Sequence, residues 1–151
     1  MKVWRGLTCI DEEIQSSVLT IGNFDGVHLG HRRIISDIVK ESNTSSSVSV
    51  VVTFHPHPRK VLSPDTPLYR IFDFNDQIAI FESLGVDHLV IEPFTRELSL
   101  LGPQEFLSER IFPALNPKVV VVGHDFKFGR GREGTHEVLR GFLEKNGIQL
   151  V

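Results

Sequence analysis

Short apolar runs alternate with longer stretches of helical spacing along this chain. The runs are Ser17 to Gly22, Val48 to Phe54, His88 to Pro93, Lys118 to Gly123 and Ile148 to Val151, and they predict five strands. Between the first two, Ile34, Ile35, Ile38 and Val39 share one helical stripe, which the polar run Glu41 to Ser47 is expected to break, with Ser42 to Ser47 a solvated turn rather than a phosphate loop because it precedes a strand and has no glycine. Ile78, Phe81 and Leu84 repeat the pattern before the third run, with Gly85 as the stop. Pro103 suits the first turn of a helix through Phe106, Leu107 and Ile111, ended by Pro113 with Pro117. A last helix is expected from Thr135, burying Val138, Leu139, Phe142 and Leu143 and stopping at Asn146 and Gly147. This alternation predicts an α/β fold: a Rossmann-like, doubly wound parallel sheet in the order 3-2-1-4-5, one domain over residues 1–151. The ligand crevice is then expected between strands one and four.

Composition narrows the class. A chain of 151 residues, 40% hydrophobic and 23% charged, is neither disordered nor membrane-embedded, and it can bury a real core. Sixteen Lys and Arg against nineteen Asp and Glu leave a net charge of -3, which argues against sequence-independent binding to nucleic acid but leaves a small anionic ligand open. The single Cys9 cannot form an internal disulfide, which fits a reducing, cytoplasmic setting with Cys9 as a structural residue. Met1 to Glu13 holds no signal-type apolar run, and runs elsewhere, such as Val119 to Val122, reach only four residues, far short of a bilayer span. The expectation is a soluble monomer whose partners are small molecules, with no nucleic acid and no membrane.

Parallel strands end at one edge of their sheet, so the segments that follow them share a rim. Gly22-Asn-Phe-Asp-Gly-Val-His-Leu-Gly-His31 follows the first strand, Thr53-Phe-His-Pro-His-Pro58 the second and Gly123-His-Asp-Phe-Lys-Phe-Gly129 the fourth. In the first, Gly22 and Gly26 let the chain turn and Gly30 lets it approach a ligand, while the helix that follows aims free amides at the rim, where a phosphate is favoured. His28 and His31 are three apart, so both imidazoles can point toward that phosphate. The plain alternative is a glycine-rich turn with two surface histidines. In the second, Pro56 and Pro58 should end the strand by about Phe54 and begin an extended, rigid loop, with His55 and His57 on the same side. Arg59 and Lys60 are either phosphate contacts or a solvated basic pair. In the third, Gly123 ends a strand and sets Asp125 at the rim, while Phe126 and Phe128 are expected to split between core and ligand faces. Lys127, Arg130 and Arg132, with Gly129, Gly131 and Gly134, form a flexible basic loop that either closes over phosphate or is only solvated. Zinc held by His28, His31, His55 and His57 is a weaker reading, because it leaves the glycine geometry without a use. His88, His124 and His136 lack a partner motif and are expected as surface or cap residues.

The first segment resembles the His-x-Gly-His signature of the nucleotidyltransferase superfamily. Together with the other two it is similar to the adenylyltransferase half of bacterial riboflavin kinase/FAD synthetases, over essentially all 151 residues. The resemblance implies transfer of the adenylyl group of ATP to FMN, giving FAD and pyrophosphate. It implies ATP contacts from Gly22, Phe24, Asp25, Gly26, His28, Gly30 and His31, and from Gly123, Asp125 and Phe126. It places FMN against His55, Pro56, His57, Pro58, Arg59 and Phe128, gives the catalytic roles to Asn23, His28 and His31, and puts Mg2+ near Asp125. The phosphate of FMN is already an anionic nucleophile, so the lack of a Ser, Cys or Lys nucleophile site is consistent with this chemistry. The family pattern continues with an Ile-Ser-Ser-Thr-x-x-Arg segment that adds phosphate contacts, and then with the riboflavin kinase half; the sequence ends at Val151, before both. Two other readings use the same residues: a nucleotide- or flavin-binding module without catalysis, and a sister nucleotidyltransferase with another phosphorylated acceptor.

Overall fold

The structure, a computed structural model, describes every residue except Asp25, Gly26, His28, 66–73 and Asp125. Among the described residues the strands are β1 (Lys2–Trp4), β2 (Ser17–Ile21), β3 (Val48–His55), β4 (His88–Pro93), β5 (Pro117–Val120) and β6 (Gln149–Leu150). All pair in parallel, in the order β1-β4-β3-β2-β5-β6. The expected order therefore stands within a sheet of six strands rather than five, extended by β1 beside β4. Three residues are too few to show an alternation, and Lys2 and Val3 are exposed, so nothing in the pattern marks β1.

Side chains alternate across the pleat, and the two faces bury separate cores. Val18, Val51, Leu89, Ile91, Val119 and Val121 face α1 (Leu29–Thr44) and α3 (Phe74–Ser83), which contribute Ile35, Ile38 and Phe81. Leu19, Ile21, Val50, Val52, Val90, Val120 and Val122 face the opposite layer. That layer holds α5 (Pro103–Phe106), a π turn (Leu107–Ile111), α6 (Phe112–Leu115) and α7 (His136–Lys145). Two short helices complete the set, α2 (Pro58–Leu62) and α4 (Arg96–Ser99).

Several boundaries differ from the expected ones. Helix α1 runs on to Thr44 rather than breaking at Glu41, because Ser42 is buried with its hydroxyl donating to the Val39 carbonyl at 2.8 Å. Pro113 does not end its helix: the Phe112 N–H reaches back to Leu107 across a π turn, and this wider turn stands where the proline ring would meet the preceding carbonyls. The run stops instead at Asn116, in the left-handed region with φ 43°. Val138 is exposed on α7, and Phe142 is half-buried against the Phe112 ring, 5.6 Å away, while Leu139 and Leu143 fill the core. Cys9 is exposed and free, not a core residue.

The amino-terminal arm is tied to the sheet by polar contacts. His88, expected at the surface, is buried; its Nδ1 accepts the Trp4 indole N–H at 3.0 Å, which leaves the proton on Nε2, facing Glu12 Oε1 at 3.6 Å. Glu12 also accepts from the Lys2 ammonium, which lowers its pKa. Buried Glu92 accepts the Leu7 N–H at 2.7 Å.

Burial pushes the pKa of His88 below its ordinary value near 6.5, outweighing the attraction of Glu12 and Asp87. The unfolded chain then takes up that proton more readily than the folded one, so the stability is present above the unfolded value and is lost as pH falls below it. The urea midpoint is expected to drop between about pH 7.5 and 5.5, and His88→Gln to flatten that slope; an unchanged slope would assign it to other groups. A pair of glycines gives opposite signs. A Cβ at Gly134 would stand 2.5 Å from the Phe128 ring, so Gly134→Ala should destabilise by about 1–3 kcal/mol. Gly141 has nothing within 4 Å inside α7, so Gly141→Ala should stabilise by roughly 0.5–1 kcal/mol. Thermal denaturation of both variants checks the pair.

Candidate functional site

The carboxyl ends of β2, β3 and β5 lie side by side, and the three motif segments leave the sheet there. After Ile21 the Gly22 N–H still bonds the Val52 carbonyl at 3.0 Å. A Cβ on Gly22 would lie 3.2 Å from the Phe24 ring, so glycine lets that ring fold back against the strand end. Phe24 is buried at φ 55° and Val27 is buried at φ 39°, its N–H bonding the Phe24 carbonyl at 3.1 Å. Two consecutive carbonyls, of Asn23 and Phe24, accept from the buried Gln77 amide of α3, and Thr53 Oγ1 also donates to Asn23 at 3.4 Å. The side-chain Oδ1 of Asn23 is buried with no hydrogen-bond partner among the described residues.

Helix α1 opens directly from this turn. Leu29 is 85% exposed and Gly30 is exposed, both at the rim. His31 is half-buried, its imidazole edge-on to the Phe24 ring at 5.3 Å. Asp25, Gly26 and His28 lie outside the described residues.

The second segment is not the extended loop expected. β3 runs one residue further, to His55, and α2 begins at Pro58, where proline suits the first helical position. The His55–Pro56 peptide is cis. His55 and His57 do not share a side, because the strand alternation stops at His55. The exposed His55 ring stacks on Phe74 at 4.8 Å, with the Arg5 guanidinium on that ring at 6.0 Å. The buried His57 ring accepts the Arg59 N–H at 3.1 Å and caps α2. Pro56 and Pro58 are half-buried, and Arg59 and Lys60 are exposed.

In the third segment the ladder contacts outlast β5, since the Val121 N–H bonds the Leu19 carbonyl at 2.9 Å. The Gly123 carbonyl meets His136 Nε2, so His136 fixes this turn. Phe126 and Phe128 do not split between faces: their rings stack at 5.3 Å and 17°, Phe128 in the core and Phe126 half-buried beside it. Residues two apart on extended backbone lie on one side, and the antiparallel bridge between Phe128 and Gly134 holds Phe128 extended, so the two rings share a face. Lys127, Arg130 and Arg132 are exposed, with Arg130 Nε 3.6 Å from Glu133 Oε1. Asp125 lies outside the described residues. No three His, Cys, Asp or Glu side chains gather to hold a metal ion among the described residues. A cleft of about 320 Å³ lined by Leu7, Ile10, Ile14, Phe112 and Pro113 sits at the opposite, amino edge of the sheet and has none of the motif residues on its wall.

Gln77 is unmarked in the sequence pattern, and Phe81 stands there only as part of the apolar stripe, although both support the turn. The available signal was an amide inside the apolar stripe of α3, between Phe74 and Phe81.

No helix among the described residues is long and apolar enough to cross a membrane. The fold is like that of a Streptococcus pneumoniae structure described as a macrolide-efflux protein, with a TM-score of 0.82 at 24% identity over 99% of this chain and 49% of that one. Proteins named bifunctional riboflavin kinase/FMN adenylyltransferase from Escherichia coli K12 and Buchnera aphidicola of Acyrthosiphon pisum are each 34% identical over 93% of this chain. One of the same name from Bacillus subtilis is 35% identical over 94% of the chain. The chain spans about half the length of these curated relatives, 45% in each case. The family model for FAD synthetase matches residues 10–151. With the strand–turn–helix geometry and its histidine-bearing rim on the sheet, the chain belongs to the FAD synthetase family.

Proposed function

We propose that the chain transfers the adenylyl group of ATP to FMN, forming FAD and releasing pyrophosphate. One observation carries this reading: the glycine-bearing turn after central β2 leads into α1 at the carboxyl rim of the sheet, where Leu29 and Gly30 are exposed and His31 lies against Phe24. Helix amides and the positive end of the dipole favour phosphate there. The names of the relatives support the choice of reaction.

In the transfer, a phosphate oxygen of FMN attacks the α-phosphorus of ATP, a phosphorus–oxygen bond forms, and the bond to the bridging oxygen of the β-phosphate breaks. No proton need be removed from the nucleophile at neutral pH. The work left to the protein is alignment and neutralisation of the charge that moves onto pyrophosphate. His31, joined by His28, is assigned to phosphate oxygens as a donor, and Asn23 offers the nucleotide the buried side-chain oxygen that lacks a partner among the described residues. Gly22, Phe24, Asp25, Gly26 and Gly30 shape the ATP side, and Gly123, Asp125 and Phe126 flank it.

FMN is assigned to the His55 face, with Pro56 and Pro58 as flat neighbours and the exposed Arg59 for its phosphate. His57 caps α2 and supports this surface from behind, while Phe128, buried under Phe126, backs the ring that flanks ATP. Asp125 would be the residue to hold a magnesium ion, which would supply neutralisation of triphosphate charge.

Incubating the chain with ATP, FMN and magnesium should yield FAD and pyrophosphate in equal amounts; bound ATP without product would favour a binding module. Other phosphorylated acceptors, added in excess, should compete poorly with FMN. His31→Ala should lower kcat by roughly 10²–10³, about 3–4 kcal/mol of barrier, while weakening ATP binding much less. Equal losses in the two would count against a role in the transition state.

A further inference from the structure

We infer that Gln77 of α3 is a positioning residue for the nucleotide turn, an inference that rests on the function proposed above. Its side chain is 2% exposed, on a helix face otherwise occupied by Phe74 and Phe81. A buried amide needs partners for its N–H groups, and an apolar side chain of similar size would fill that layer without them. Gln77 Nε2 donates to the Asn23 carbonyl at 3.1 Å and to the carbonyl of Phe24. These are backbone groups of the turn, ahead of His31.

The conformation of the turn explains why it needs holding. Phe24 has φ 55°, a region that side chains other than glycine occupy only where their surroundings dictate it. Gln77 fixes its carbonyl, and Phe81, four residues on and on the same side of α3, meets its ring edge-on at 5.7 Å. The other side of the Phe24 contact is the His31 imidazole, at 5.3 Å and 76°. Helix α3 thus holds the backbone and the ring of the residue against which His31 rests. Gln77 acts through these groups and is given no contact with substrate.

Gln77→Met removes the donor and keeps the bulk; Gln77→Glu keeps the shape and sets a carboxylate against two carbonyls. In the full chain, Gln77→Met should keep its melting temperature within a few degrees, lower kcat/KM for ATP by about tenfold or more, and leave KM for FMN within about twofold. A carboxyl buried against carbonyls has a raised pKa and donates once protonated. The ratio of Gln77→Glu to wild-type activity should therefore rise as pH falls from about 8 to 5.5, and the Gln77→Met ratio should stay flat. Wild-type kinetics in Gln77→Met, or a flat ratio in Gln77→Glu, would overturn the inference, as would failure of both variants to fold, which would assign Gln77 to the fold alone. If the wild type binds ATP and makes no FAD, the transfer reaction fails by itself; the inference is then judged by calorimetric ATP affinity, expected to fall about tenfold in Gln77→Met. A wild type that does not bind ATP overturns both.

Discussion

Parallel pairing is the constraint from which the rest of this molecule follows. A parallel ladder needs a crossover between each pair of strands, and the crossovers bury both faces of the sheet. The strands are accordingly apolar on both sides, with Val50 and Val52 in one core and Val51 in the other. Running one way, they release their following segments at one edge. The glycine turn, the proline–histidine segment and the Gly123 turn come from β2, β3 and the end of β5, which are neighbours in the sheet although 17–21, 48–55 and 117–120 are distant in the chain. Loop residues meet at a site here because rigid strands deliver them there.

At that edge the chain gives up regular hydrogen bonding, and side chains replace it. The Asn23 and Phe24 carbonyls are taken by Gln77, the Gly123 carbonyl by His136, and the Arg59 amide at the start of α2 by His57. Each of these side chains comes from a helix or from its cap, so the rim is pinned to the layers on both faces of the sheet. Aromatic contacts do similar work: Phe24 between Phe81 and His31, and Phe126 on Phe128.

Much of the framework is legible in the sequence, because long apolar periods are set by burial. β2, β3 and β4, the stripes of α1, α3 and α7, and the strand order all express the two-faced core. What is not legible lies below the length over which periodicity acts. β1 has three residues, α2 has five, and the passage of a helix through Pro113 depends on a local π turn. The site divides in the same way. The chemistry-bearing types at the rim are visible as motifs, but which histidine turns inward is not: His55 and His57 part company where the strand ends, and His88 is drawn in by the Trp4 indole rather than by any signal of its own. The stacking of Phe126 on Phe128 depends on Gly134, six residues beyond Phe128, leaving room for the ring.

The border of the sheet at β1 is short, with three residues. An unpaired border is a template on which a second molecule can add its own strand, and long flat borders are where proteins stick together. Here one border carries Lys2 and is anchored to the body by Trp4 and Leu7, so it offers little length and a charge. The arm that periodicity overlooks therefore acts as a hem, keeping the valine-rich interior strands from being copied outward from one molecule into the next.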